Sequence, residues 1–511
     1  MTVKVSAVGL KGLEGYKIQV EVQSFSGLHS MVIVGLPDAS VKESRERVLS
    51  VLRHLDCNVA AQKIVVNLSP SEQRKNGPLI DLAIAIGILR EMQYIYNEIP
   101  PDLAFVGALS LDGTVVPADG MLPAVLAAKS LGFSQVFIPY DPSIPLHLIE
   151  GVELIVVNHV KDVMDYLCGK RVPPFTTDKL IDAQESRPDN IWRRDFSHVI
   201  GQKQAKRAME IAAAGEHNIL LSGPPGCGKS LLAETFPSIL PSLSKTTQLE
   251  VMSLYQLAGE KHVLDLTPPY RNPHHSASSI ALIGGGSQPK PGEISLAHKG
   301  VLFLDEMAEF SKKTLEMLRQ PLESGKVTIS RVDSKVMYPT SFILIGATNP
   351  CPCGYLGSAN HYCTCSEKQI RNYHNRISGP VYERIDILIS MKSISLDIPE
   401  GPRETSAEIQ ERTAQARNRQ YLRYQKEISN GKVSFEQLME ASPISDSQQK
   451  MLTRVSANQH WSNRVQIKII RLARTISDLA GDDRITDEAI WEAMTLRRVN
   501  FQQQFLAARD Y

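Results

Sequence analysis

The sequence predicts an α/β fold class, with two α/β units in series and a helical unit behind them. Three observations carry this expectation. Over the first 170 residues, short β-like runs alternate with apolar residues at helical spacing. At Asn218–Ser222 an apolar strand pattern runs into a glycine-rich turn and then into helix formers. From about Ser395 the β-type runs thin out, and amphipathic helical patterns such as Val465–Leu479 and Asp487–Met494 take over.

In chain order, Lys17–Val22, Met31–Val34, Lys63–Asn67, Phe105–Ala108 and Gln135–Ile138 read as strands, while Lys42–Leu55, Leu79–Met92 and Leu122–Ser130 read as helices. The stretch Arg171–Asn190 holds Pro173, Pro174 and Pro188 among polar residues without periodicity, which is the composition of a linker. The expected domains are therefore 1–170, a linker at 171–190, a second α/β unit at 191–394 and a helical unit at 395–511. No repeat of fixed period and no low-complexity tract interrupts this order.

A chain of 511 residues has room for two to four domains of roughly 100–200 residues each. With 42% hydrophobic and 22% charged residues the composition is globular rather than disordered. The formal net charge of +1 excludes a globally basic nucleic-acid binder but leaves room for a local basic lining. Seven cysteines, an odd number, argue against a secreted disulfide scaffold. Met1–Leu10 lacks the layout of a signal peptide. The most apolar stretch, Leu79–Leu89, contains Asp81 and is far shorter than the roughly 20 residues a membrane span needs. The expectation is a soluble, cytoplasmic protein with no membrane contact.

The chemistry concentrates in three strand-end motifs. Gly223-Pro224-Pro225-Gly226-Cys227-Gly228-Lys229-Ser230 follows a strand pattern and opens a helix, the context a phosphate-binding loop requires. Backbone amides turn inward around phosphates there, and the helix N-terminus favours negative charge. Lys229 is placed to reach the β- and γ-phosphates, and the Ser230 hydroxyl to hold magnesium. Gly300–Leu304 is a buried-strand run that ends in Asp305 and Glu306. Asp305 suits the magnesium hydration shell, and Glu306 suits the base that orients and deprotonates an attacking water. A third strand pattern, Phe342–Gly346, leads to Asn349, a polar group able to fix that water against the γ-phosphate. Together the three predict nucleotide hydrolysis with ATP and Mg2+.

At these residues the sequence resembles AAA+ ATPases and, more narrowly, the magnesium-chelatase-like ComM/YifB family. The stretches that carry the resemblance are Arg271-Asn272-Pro273-His274-His275, Ala281-Leu282-Ile283-Gly284-Gly285-Gly286, Pro289 to His298, Gln320-Pro321-Leu322-Glu323 and Ser330-Arg331, and it extends over essentially the whole chain. It implies a hexameric ring motor that acts on single-stranded or branched DNA, a branch migration helicase serving recombination in natural transformation. It further implies that Arg384, in Glu383-Arg384-Ile385-Asp386, is an arginine finger offered to a neighbouring subunit, with Arg376 the alternative. By the same resemblance Arg464 is the second sensor arginine, and Val199 and Ile200, within Phe196 to Gln202, pack against adenine. Two insertions, around Ile283–Ile294 and Lys326–Tyr338, point into the pore of related rings, so Lys290, Arg331 and Lys335 become candidate DNA contacts.

The N-terminal domain resembles the Lon-protease type, which needs a serine–lysine dyad. Leu79 stands where the serine is expected and Leu122 where the lysine is expected. Leucine supplies neither a nucleophile nor a base, so a scaffold or DNA-contacting role is expected instead. Ser69, Ser71 and Lys75 lie close by in sequence and keep an ATP-dependent protease as an alternative.

Cys351-Pro352-Cys353 and Cys363-Thr364-Cys365 place four soft ligands in one short loop just after Asn349. That set suits a tetrahedral structural zinc, against a reduced loop without metal. A second functional class, a chelatase-type ATPase driving a partner protein, also stays open. The Lon-like domain is expected to argue against it.

Overall fold

The computed structural model describes residues 2–59, 61–73, 75, 77–170, 194–260, 267–286, 289–330, 335–358, 361–393 and 403–497. The expected linker 171–190 and the candidate Arg331 lie outside the described residues. Two compact units result. One gathers the described residues of 2–170 with 245–260 and 335–337, and the other gathers the rest.

The first unit is built on a seven-stranded sheet. Its strands are β1 (Val3–Lys11), β2 (Glu14–Ser26), β3 (Ser30–Val34), β4 (Gln62–Ser69), β5 (Leu103–Phe105), β8 (Gln135–Ile138) and β9 (Glu153–Val156), in the order β3-β4-β2-β1-β5-β8-β9. A small separate hairpin, β6 (Ala108–Leu109) with β7 (Val115–Val116), lies between β5 and β8 in sequence. β1–β2 and β2–β4 are antiparallel, and the remaining pairs are parallel. Side chains on β5 and β8 alternate between two cores. Leu103, Phe105 and Phe137 join the core under helices Ala39–His54 and Asp81–Glu91, while Ala104, Val136 and Ile138 join the core under helix Met121–Ser130. Period-two alternation with both faces apolar is what a sheet covered on both sides requires. The expected strand Phe105–Ala108 is broken in two, because the Gly107 N–H donates to Leu79 O and Gly107 O accepts from the Leu82 N–H, which takes the chain off the sheet. Helix Lys245–Ala258 follows the phosphate-loop region in sequence but packs here, with Leu249 and Met252 beside Leu122.

The second unit holds a five-stranded, all-parallel sheet. Its strands are β10 (Ile219–Ser222), β11 (Tyr270–Arg271), β14 (Val301–Leu304), β17 (Ile343–Thr348) and β18 (Ile387–Ser390), in the order β11-β14-β17-β10-β18. The same alternation operates. Ile219, Leu221, Val301, Phe303, Ile343 and Ile345 face helix Lys203–Gly215 and the C-terminal helices, and Leu220, Leu302, Leu304 and Leu344 face the opposite core. Two short insertions stand apart from the sheet. Helix Ser279–Ile283 ends in a two-residue hairpin, β12 (Gly284–Gly285) with β13 (Lys290–Pro291), and β15 (Lys326–Ser330) pairs with β16 (Lys335–Pro339). Lys290 and Lys335 are both exposed. Helices Ser406–Tyr424, Phe435–Ala441, Asp446–Gln459, Asn463–Ala480 and Asp487–Arg497 complete the C-terminal part. Among the described residues, no helix is long and apolar enough to cross a membrane.

Candidate nucleotide-hydrolysis site

The parallel sheet brings the three motifs together, because β10, β14 and β17 are neighbours whose C-terminal ends share one edge. Ligands in open α/β sheets bind along that edge. After β10 the chain enters the loop Gly223–Gly228 and then helix Lys229–Thr235. A side chain at Gly223 would bring its Cβ to 2.8 Å from both Cys227 Sγ and Met391 O, so only glycine lets the loop close there. Gly228 has φ +92°, the left-handed region that glycine occupies without strain.

Lys229 opens the helix, and its side chain reaches back into the loop. Its Nζ donates to Gly223 O (2.6 Å), Pro224 O (3.0 Å) and Asn349 Oδ1 (3.1 Å). Burial pushes its ammonium below the usual lysine value, and the nearby charges of Cys227, Asp305 and Glu306 pull it back up. Ser230 Oγ donates to Asp305 Oδ2 at 3.0 Å. This pair of hard oxygen donors, one on each side of the sheet edge, fits magnesium, which is commonly held by one carboxylate with waters and substrate phosphate oxygens. Asp305 Oδ1 accepts from the Glu306 N–H at 2.9 Å, and Glu306 itself is exposed, with φ +47°. A carboxylate held outward on a strained residue is available to a water molecule.

Two partners of the site, His275 and Gln202, had no role assigned from sequence. His275 Nδ1 stands 3.8 Å from Glu306 Oε2, and the His275 ring lies against that of His274, tilted by 34° with ring centroids 4.1 Å apart. Gln202 Nε2 donates to Cys227 O (3.1 Å) and Lys392 O (2.8 Å), tying the segment that carries Val199 and Ile200 to the phosphate loop. Val199 is buried and Ile200 half-buried. His275 and Gln202 lie in stretches that carry the family resemblance, Arg271 to His275 and Phe196 to Gln202, but neither contact was legible there.

Arg384 and Arg464 form a second group. Arg384 donates to Glu323 Oε2 (2.7 Å), Pro380 O (2.7 Å) and Arg319 O (3.3 Å). Arg464 reaches Glu383 Oε2 at 3.4 Å and Glu323 Oε1 at 4.0 Å, so Glu323 is common to both arginines. Arg384, the largest influence on Glu323, holds that carboxyl below its usual value. Arg376 instead pairs with Glu309 at 2.6 Å, close behind Glu306 in sequence.

The four cysteines converge, and among the described residues they are the one group of three or more metal-type ligands. All four sulfurs lie within 4.8 Å of one another, with Cys351–Cys363 at 3.7 Å and Cys353–Cys363 at 3.6 Å. A tetrahedral zinc with Zn–S of about 2.3 Å spaces its sulfurs by about 3.8 Å, so the donor set fits. The Leu356 N–H donates to Cys351 Sγ and the Cys353 N–H to Cys365 Sγ, each at 3.4 Å, contacts that stabilise thiolate. The same loop abuts the phosphate loop, because a Cβ on Gly354 would fall 2.8 Å from Pro225 Cδ.

In the first unit, Leu79 and Leu122 are both buried and belong to one apolar core. Lys75 is buried as well, its Nζ donating to Pro70 O, and burial holds its ammonium below the usual value.

The protein called YifB of Escherichia coli, printed as uncharacterized, is 36% identical over 502 residues, 96% of each chain. Competence protein ComM of Haemophilus influenzae is 36% identical over 494 residues, 95% of each chain. The chain belongs to the ComM/YifB family. Family models match it in three stretches: magnesium chelatase, subunit ChlI, over 195–397; subunit ChlI of Mg-chelatase over 20–142; and the ChlI C-terminal region over 403–497. Lon protease 2 of Bacillus subtilis is 35% identical over 127 residues, 24% of this chain and 22% of its own. As a ComM/YifB protein the chain thus combines a Lon-protease-like N-terminal domain, a P-loop AAA+ core and a helical C-terminal part, and the family is one of ATPases that use ATP and Mg2+. The ChlI-named model at 20–142 covers part of the same N-terminal domain that is similar to Lon protease.

Proposed function

We propose that this protein is an ATP-dependent hexameric ring motor on branched DNA, a branch migration helicase supporting recombination in natural transformation. The observation that carries the hydrolytic half is the meeting of Lys229 with Asn349 and of Ser230 with Asp305 at one sheet edge. The DNA half draws on full-length likeness to a protein named for competence. In this reading the N-terminal domain (1–170), a linker (171–190), the ATPase core (191–394) and a helical lid (395–511) act in one subunit.

Ser230 and Asp305 would hold magnesium, which would supply positive charge against the negative charge developing on the γ-phosphate. Lys229 holds the β- and γ-phosphates, Val199 and Ile200 border the adenine, and Asn349 orients the water that Glu306 deprotonates. Arg384, contributed by the neighbouring subunit, and Arg464, from the lid, complete the charge around the γ-phosphate. Cys351, Cys353, Cys363 and Cys365 hold a structural zinc that stiffens the loop after Asn349. The exposed Lys290 and Lys335 contact backbone phosphates, as does Arg331.

The second reading, a chelatase-type ATPase acting on a partner protein, is favoured by the three ChlI matches. A peptidase is disfavoured by the buried Leu79 and Leu122. The deciding experiment is the ATPase rate and assembly state with and without forked DNA. Stimulation or assembly by DNA is expected, and indifference in both would end the DNA reading.

A further inference from the structure

The turn that carries Arg384 is gripped from the lid. Asp386, two residues after Arg384, is buried at the start of β18. Its Oδ2 accepts from the Asn218 N–H at 2.8 Å, and its Oδ1 accepts from Lys468 Nζ on helix Asn463–Ala480. One turn earlier on that helix Arg464 reaches Glu383, and from the last helix Arg497 donates to Ile385 O and Tyr382 O. Asn218 Nδ2 donates to Arg384 O at 3.0 Å, which fixes the finger's own backbone to the strand that leads into the phosphate loop. Lid contacts therefore reach residues 382, 383, 385 and 386, on both sides of one arginine.

We propose that the Lys468–Asp386 ion pair is the strut through which the lid positions Arg384, making Lys468 and Asp386 positioning residues for hydrolysis in the neighbouring subunit. The inference rests on Arg384 acting as an arginine finger. A buried pair cannot be exchanged for water contacts when the lid moves, so displacement of helix Asn463–Ala480 is passed to the 382–386 turn. The helix also carries Arg464, so the lid's own sensor and the finger move as one body. The pair is electrostatically lopsided. Besides each other, Lys468 and Asp386 face Lys432, Arg471 and Arg497, with Glu216 and Glu383 sharing those cations, and His217, whose imidazole burial lowers to about 4 and so keeps neutral at pH 7. Burial, assisted by Arg497 and Arg471, brings Lys468 down to about 8 despite its partner. The strut is therefore charged at neutral pH and loses its ammonium as pH rises through that value.

The test is a set of variants in the full-length protein, read by steady-state ATPase kinetics, nucleotide binding and thermal unfolding. Lys468→Met is expected to lower kcat about tenfold or more while KM stays within about twofold, and to add no further loss in an Arg384→Ala background. Lys468→Arg keeps the charge, so it should retain kcat at pH 7 and remain active above pH 8, where the wild type declines. A lowered unfolding temperature is expected in either case, because buried Asp386 loses its partner; a purely structural Lys468 would instead multiply the Arg384→Ala loss, which overturns the proposal. An alkaline decline in Lys468→Arg identical to the wild type overturns it too, even if Lys468→Met fails to fold. If Arg384→Ala alone is fully active, the finger reading fails first and takes the strut with it. A slow Arg384→Ala beside a normal Lys468→Met removes the strut alone.

Discussion

Lys229 Nζ lies 3.1 Å from Asn349 Oδ1, so the lysine of the phosphate loop and the polar tip of the neighbouring strand share a hydrogen bond across 120 residues of sequence. That amide and two loop carbonyls satisfy a partly desolvated ammonium. Phosphate oxygens entering the loop would take those donors and free Asn349 to orient water.

Lys229→Ala removes the loop's cation and should abolish ATP binding. Equilibrium titration with a fluorescent ATP analogue checks it. Affinity within about threefold of wild type would show that backbone amides alone hold the phosphates.

Glu306→Gln keeps the shape of the exposed side chain and removes its basicity. ATP binding should survive, while single-turnover hydrolysis slows by about 10²–10⁴-fold, the usual worth of a general base. Normal turnover would remove Glu306 from that role.

Arg384→Ala should bind nucleotide and lose about 10³–10⁵-fold in rate, the range an arginine finger commands. Mixed with Glu306→Gln subunits, it should regain partial activity, since some interfaces then pair an intact Arg384 with an intact Glu306. Only sites shared between subunits recover. No recovery, with full activity of Arg384→Ala alone, would pass the role to Arg376.

Protein purified without added metal should carry about one zinc per chain by elemental analysis, given four sulfurs within 4.8 Å of one another. Joint replacement of Cys351 and Cys363 should release it. Metal-free protein of full activity would refute the zinc site.

Asp386 is buried, which by itself raises its pKa, yet Lys468 and His217 hold the carboxyl at about 2, below the ordinary aspartate value of 3.8. A depressed carboxylate stabilises the fold above the unfolded value, and that contribution disappears as pH falls from about 4 towards 2. Asp386→Asn should therefore cost roughly 2 kcal/mol at neutral pH, with the gap from wild type narrowing below pH 4. Denaturant unfolding at pH 7, 5 and 3 measures it, and a gap independent of pH would assign the loss to packing.

Sequence alone determined the catalytic strands, because their information is local. A buried parallel strand must be apolar on both faces, and a phosphate loop needs glycine at set offsets beside a lysine, so Gly223–Ser230 and Gly300–Glu306 announce themselves within a dozen residues each. The cysteine spacing and the leucines at 79 and 122 were legible for the same reason. Tertiary structure decided what depends on pairing between distant segments. That Asn349 meets Lys229 follows from β17 lying next to β10, that Leu79 and Leu122 share a core follows from how their helices pack, and that Lys468 meets Asp386 follows from the lid folding back onto β18. Helix Lys245–Ala258 shows the limit most clearly, since its apolar face marks it for burial but carries no mark of which core will receive it. Hydrophobic burial is non-directional, so the pattern specifies that a face is covered and only the assembled fold specifies by what.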